Sequence, residues 1–429
     1  MKAIGIDIGT TSVCGVVIDK ESGEILKSRT ENSNAFLPGC ADWEKIQSVD
    51  KIIGIAMDIL HELIDGDTGV IGVTGQMHGI TYTDEEGNSV SPLYIWQDGR
   101  GNLEYKGTTY AKYLSSASGY GNVTDFYNRE NGIRPEQAVS YCTIHDYFVM
   151  KLCSLKRPVI HSSDAASFGC FDIEKNKFSY DCDCTVEPGY RIAGEYRGIP
   201  VSVAIGDNQA SVFSTLADEN DVLVNVGTGS QISIVSDRVV EGADIETRPY
   251  FEGKYLVVGA ALCGGRAYSM LKNFYSEIVG CVKEVDDEQI YDIMNKMLQK
   301  NQSGLTVDTR FAGTRRNTDI CGSVTGITEN NFTPSALTYG FLQGIASELN
   351  DMYLQMNVSK KGIVGSGNGI RKNSALTKIF EKMFMSEMKI PAHMEEAACG
   401  AALYGLISAG FFKNAQEAQS LIKYKKGDF

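Results

Sequence analysis

Residues 5–19 read GIDIGTTSVCGVVID, and residues 223–237 read LVNVGTGSQISIVSD. The two stretches align without a gap at an offset of 223 − 5 = 218 residues. Gly9 matches Gly227, Thr10 matches Thr228, Ser12 matches Ser230 and Asp19 matches Asp237, and the apolar positions coincide. An apolar run, a Gly-Thr turn and a second apolar run form the pattern of two paired buried strands. In the first copy the strands are expected at residues 2–8 and 11–19, with Gly9-Thr10 as the turn. A unit of this kind met twice, half a chain apart, points to a duplicated domain. The alternative is a chance likeness of two glycine hairpins. The polar run Ala217-Asp218-Glu219-Asn220-Asp221 marks the boundary, so the expected domains are residues 1–220 and 221–429.

The rest of the chain agrees with an α/β fold. Helical periodicity is expected at residues 50–64, 334–356, 374–388 and 395–409, alternating with strand-like runs. A length of 429 residues and 43 % hydrophobic content allow two sizeable cores. Forty basic against 54 acidic residues give a net charge of −14, which argues against nucleic-acid and anionic-membrane partners. No apolar run reaches the ~18 residues of a membrane helix, and the start lacks the signature of a secretory signal. Eleven scattered cysteines, an odd number, read as reduced thiols and a cytoplasmic location. Met383, Met385 and Met388 read as core.

The glycines, 45 in all, cluster after apolar runs, where strand ends face ligands in α/β proteins. Glycine lets a backbone approach a ligand, and successive amides with Thr and Ser hydroxyls can cradle phosphate. Gly9, Thr10, Thr11 and Ser12 in the first hairpin and Gly227, Thr228 and Gly229 in the second are therefore candidate phosphate holders. Ordinary hairpins are the structural alternative. Asp7 precedes the first turn, whereas its equivalent Asn225 is neutral, so Asp7 suits a hard cation such as Mg2+. Asp207 follows the apolar run Val201–Ile205 and Gly206 and precedes a helical stretch. It can serve as a general base toward a hydroxyl attacking phosphorus, or simply cap its helix. Its place next to the domain boundary favours the base. Gln76, Met77 and His78 in GQMHG (75–79), and Trp96 and Asp98 in WQDGR (96–100), offer amide, imidazole, carboxylate and an aromatic face to a polyhydroxylated ligand. A structural His78 and a plain Asp98–Arg100 salt bridge are the alternatives. Gly264-Gly265-Arg266 and Gly365-Ser366-Gly367-Asn368 are further glycine turns suited to a nucleotide. Neither a Walker A nor a Rossmann motif is present.

In their order along the chain these motifs resemble the FGGY family of carbohydrate kinases. DIGTT (7–11) is similar to the first phosphate motif, VGTGS (226–230) to the second and GDNQAS (206–211) to the segment with the catalytic Asp. GSGNGIRKN (365–373) is similar to the adenosine-contacting motif and EEAACGAAL (395–403) to the helix after it. The resemblance spans residues 4–410 and lies nearest the xylulose-kinase-like branch. It implies two duplicated ribonuclease-H-like domains of the actin/hexokinase-like fold around a central cleft, the first binding sugar and the second ATP. It further implies ATP and Mg2+ as cofactors, Asp207 as the base and Asp7 at the metal. Gln76, Met77, His78, Trp96, Asp98 and Asn208 would meet a ketose. Sedoheptulose is the first candidate, and xylulose or ribulose the alternative. The expected partners are the small-molecule sugar and ATP, with homodimer formation left open. An actin- or chaperone-like ATPase and a non-catalytic sugar sensor are the competing classes.

Overall fold

The structure, a computed structural model, describes residues 1–182, 184–298, 304–314, 317 and 319–425. Both hairpins form. Lys2–Ile8 pairs antiparallel with Ser12–Asp19, and Asp221–Val226 pairs antiparallel with Ser230–Ser236. Shifted by 218, the first pair falls almost on the second. The turns differ by one residue: Ile8 faces Val13, whereas Val226 faces Ser230.

Each hairpin seeds a sheet of the same order. In the first, Ile25–Asn32, Ser12–Asp19 and Lys2–Ile8 run antiparallel, and Thr68–Gly75 and Ile199–Ser202 continue in parallel, with Ile192–Tyr196 at the edge. In the second, Tyr255–Ala261, Ser230–Ser236 and Asp221–Val226 run antiparallel, followed in parallel by Gly362–Ser366 and Met388–Lys389. The repeat read from the sequence is thus a repeat of topology.

The chain forms two units, but its path departs from a single cut at 220/221. Of the described residues, those within 1–217, 248–254 and 393–423 make the first, and those within 218–247 and 255–392, with 424 and 425, make the second. The helix Glu396–Ser408, expected within the second domain, packs on the first sheet. It is buried almost all round, as a core helix must be. A Cβ built at Gly5 or Gly72 would lie 1.8 Å from the carbonyl oxygen of Ala398 or Ala401 respectively. Only glycine lets helix backbone rest on strand backbone there. On the opposite face, Ile52, Ala56, Ile59, Leu60 and Leu63 of the helix Val49–Leu63 are buried in a core with Ile6, Ile8 and Val73. Gly72→Ala is therefore expected to cost about 3 kcal/mol or more, because neither backbone can retreat. Chemical denaturation of the variant against the parent measures it.

The helix expected at 374–388 ends at Phe384, where Met385 turns left-handed at φ 52°. Met388–Lys389 is instead an edge strand beside Gly362–Ser366. Met385 is 91 % exposed and not core, whereas Met388 is buried.

Candidate active site

Within the first unit, Gly75 ends the central parallel strand and pairs with both neighbours, Ile8 on one side and Gly206 on the other. Asp7 and Asp207 thus leave adjacent strand ends. Asp207 is the first residue of the helix Asp207–Thr215, and its preceding Gly206 is the N-cap. Asp207 is therefore a first-turn residue and not the N-cap itself, and its carboxylate meets the backbone amide of Asn208. Glu395, just before the helix Glu396–Ser408, is the third carboxylate here. Burial pushes the Asp7 carboxyl up to about 7, and the charges of Asp207 and then Glu395 add to the effect. Burial likewise raises Asp207, opposed by His145 and Arg248. Asp7 Oδ1 is buried without a hydrogen-bond partner, while Glu395 accepts a hydrogen bond from Cys14 Sγ at 3.3 Å. Mutually repelling carboxylates with an unpartnered buried oxygen suit an oxygen-seeking divalent cation.

The first hairpin and the polar strand-end clusters form one network. Trp96 Nε1 donates to Thr10 Oγ1 at 3.0 Å, and Thr10 Oγ1 donates to Gln76 Oε1 at 3.1 Å. Gln76 Nε2 donates to Gln47 Oε1 at 3.0 Å, and Gln47 Nε2 donates to the Thr10 carbonyl at 2.7 Å. The single hydroxyl proton of Thr10 is therefore committed to Gln76. The Thr10 side chain thus braces Gln76 and Trp96, whereas it was expected to donate to phosphate. Ser12 opens the second strand opposite Asn32, and the Thr11 carbonyl is held by Ser33. Trp96 is 46 % exposed despite its bond to Thr10. His78 adopts φ 74°, its amide donates to Ser167 Oγ at 3.1 Å, and its ring stacks on Tyr120 at 4.3 Å. A non-glycine residue held there is strained, as side chains at ligand sites often are. Met77 is buried, with its thioether against Gly206.

Asp98 is corrected. Its Oδ1 accepts from Arg100 N and Nε at 3.0 and 2.7 Å, and its Oδ2 from Lys45 N and Arg100 Nη2 at 2.9 and 3.1 Å. Both oxygens are saturated, so Asp98 braces the loop and has none to offer a sugar. Asn208 Oδ1 accepts from Arg248 Nη1 at 3.4 Å.

In the second unit the glycine turns converge. Gly265 N donates to Gly227 O at 2.7 Å, and Arg266 N donates to Thr228 O at 2.9 Å, so the 264–266 turn rests on the second hairpin. Asn225 Nδ2 donates to Ser366 Oγ at 2.7 Å, and a Cβ at Gly367 would meet Val226 O at 2.5 Å. Gly227, Thr228, Gly229, Gly264, Gly265, Ser366, Gly367 and Asn368 thus gather at one sheet end. Gly365 lies inside its strand, where a Cβ would collide with Met388, so its smallness serves packing there.

Sequence reading missed Gln47, Arg248 and Glu395. Glu395 stood inside a quoted motif but was read only as helix. Gln47 and Arg248 sit in no motif, and folding alone brings them in. It also missed His161, a fully buried base that accepts from Ser163 N and begins the helix Ser162–Ser167. Burial lowers its pKa from 6.5 to about 4. As pH falls the unfolded chain takes up this proton first. The associated stability is complete above pH 6.5 and drains away as pH falls toward 4, by about 3 kcal/mol in all. Unfolding followed from pH 7 to pH 4 is expected to lose that slope in His161→Asn.

Residues 2–121 match the N-terminal domain of the FGGY family of carbohydrate kinases. The chain is similar to sedoheptulokinases from Homo sapiens and Mus musculus, with 28 % and 29 % identity over 93 % of this chain and 96 % of each relative. In fold it is similar to a xylulose kinase from Rhodospirillum rubrum, with a TM-score of 0.85 at 18 % identity over 99 % of this chain and 93 % of that one. Over nearly its whole length the chain is thus similar to carbohydrate kinases of the FGGY type, and its fold is the two-domain actin/hexokinase-like one. Among the described residues no helix is long and apolar enough to cross a membrane.

Proposed function

We propose that this chain transfers the γ-phosphoryl group of ATP to the terminal hydroxyl of a ketose, with sedoheptulose as the preferred acceptor. The observation that carries the reading is Asp207. It is a carboxylate at a strand end beside Asp7, and the Gly206 before it pairs with Gly75, which leads into Gln76, Met77 and His78. Asp207 accepts the hydroxyl proton as the oxygen attacks phosphorus. Trp96 offers its exposed face to the sugar's CH groups, and His78 and Gln76 orient hydroxyls. The amides of the first hairpin, with the glycine turns of the second unit, hold phosphate oxygens and ATP. Asp7, supported by Glu395, would hold Mg2+, which when bound neutralises charge on the phosphoryl oxygens. The sugar domain is proposed as the first unit and the nucleotide domain as the second. The sedoheptulokinase relatives support sedoheptulose over pentuloses. The cytoplasm is the proposed compartment.

ADP release measured against a panel of ketoses and polyols tests this. Strong stimulation by sedoheptulose, with xylulose or ribulose next, is expected. ATP hydrolysis indifferent to every sugar would instead assign the chain to the ATPase class.

A further inference from the structure

One short helix bonds to the residue before Asp207, to His145 and to His78. Ser162–Ser167 carries Ser163, Asp164 and Ser167, and each points to a different part of the site. Ser163 Oγ accepts from the amide of Gly206, the residue before Asp207, at 3.0 Å. Asp164 Oδ1 bonds His145 Nε2 at 3.0 Å, and both groups are completely buried. Ser167 Oγ accepts from the His78 amide and donates to the Asp164 carbonyl at 2.8 Å, so the sugar-side histidine hangs from the same helix.

His145 reaches the catalytic strand end from below. Its ring lies against Gly75, where a Cβ would come within 3.0 Å of Nδ1 and 3.1 Å of the His145 Cβ. Gly75 pairs with both Ile8 and Gly206, the neighbours of Asp7 and Asp207. His145 Nδ1 makes no hydrogen bond, so among the described residues Asp164 alone holds the imidazole in orientation. A fully buried histidine–aspartate pair is costly to keep unless it fixes something. What it abuts is the backbone from which the two functional carboxylates project.

We propose that Ser163 and Asp164 are positioning residues for Asp207: Ser163 pins the Gly206 amide directly, and Asp164 acts through His145 wedged against Gly75. The proposal rests on the reading of Asp207 as the base. Neither residue touches substrate, so their removal should slow the chemical step without weakening binding.

A double-mutant cycle on the full-length chain tests it. Ser163→Ala is expected to lower kcat roughly tenfold, and Asp164→Asn on the order of a hundredfold. The KM for sugar and for ATP should stay within about twofold in both, as expected where only the transition state is affected. In an Asp207→Asn background either change should add less than about twofold, because residues acting through one group are not additive. Unchanged kcat in both single variants overturns the proposal, as do losses that multiply in full with that of Asp207→Asn. Thermal melting checks folding; if Asp164→Asn does not fold, the Ser163→Ala cycle decides alone. Undiminished turnover of Asp207→Asn itself would remove the base reading, and this inference with it.

Discussion

Asp207→Asn is expected to lower turnover by about a hundred- to ten-thousand-fold while sugar and ATP still bind, since general-base assistance is typically of that size. A sugar hydroxyl is a poor nucleophile at neutral pH, and the carboxamide cannot accept its proton. The fold should survive, because Asn retains the size of Asp207 and still offers an oxygen to the Asn208 amide at the helix start. Burial raises the Asp207 pKa, so neutralising the group removes a penalty and the melting temperature should hold or rise. Steady-state kinetics with calorimetric titration of both ligands separates the outcomes. Near-normal turnover would transfer attention to Asp7 or Glu395, since Asp98 is locked to Arg100.

Asp7→Asn is the second large effect. Activity is expected to fall on the order of 10²- to 10³-fold, the usual loss when one preorganised charge partner is removed from the transition state. Stability should move the other way. The folded Asp7 titrates at about 7, above the ordinary 3.8, so the unfolded chain releases this proton first as pH rises. The stability it contributes is present below pH 3.8 and lost as pH climbs through 7. At pH 8 without divalent cation, the Asn variant should therefore be more stable than the parent, by about 1–4 kcal/mol. At pH 4 the two should coincide. Added Mg2+ should stabilise the parent and leave the variant unmoved. Equal responses to Mg2+ would show that Asp7 does not hold the cation.

The strands around both hairpins were legible because a buried strand writes itself as an apolar run, and a duplication writes it twice. Contacts that need the third dimension were not. The one-residue difference between the hairpins depends on turn geometry, which Gly-Thr-Thr and Gly-Thr-Gly do not declare. Asp98 and Asp7 look alike as strand-end carboxylates. Only the fold shows that Arg100 turns back onto Asp98, while Asp7 faces other carboxylates. Thr10 carried a phosphate-turn signature, yet its hydroxyl is drawn to Gln76 by a strand 66 residues away. The helix Glu396–Ser408 sits late in the chain, and nothing in its composition tells that Gly5 and Gly72 leave a seat for it on the first sheet.

The most direct test is 31P NMR of the chain incubated with ATP, Mg2+ and sedoheptulose. A new phosphomonoester signal coupled to the terminal methylene protons of the sugar, rising in step with ADP, is the expected result. ADP accompanied only by inorganic phosphate, with sedoheptulose and every other ketose unmodified, would contradict the assignment of this chain as a ketose kinase.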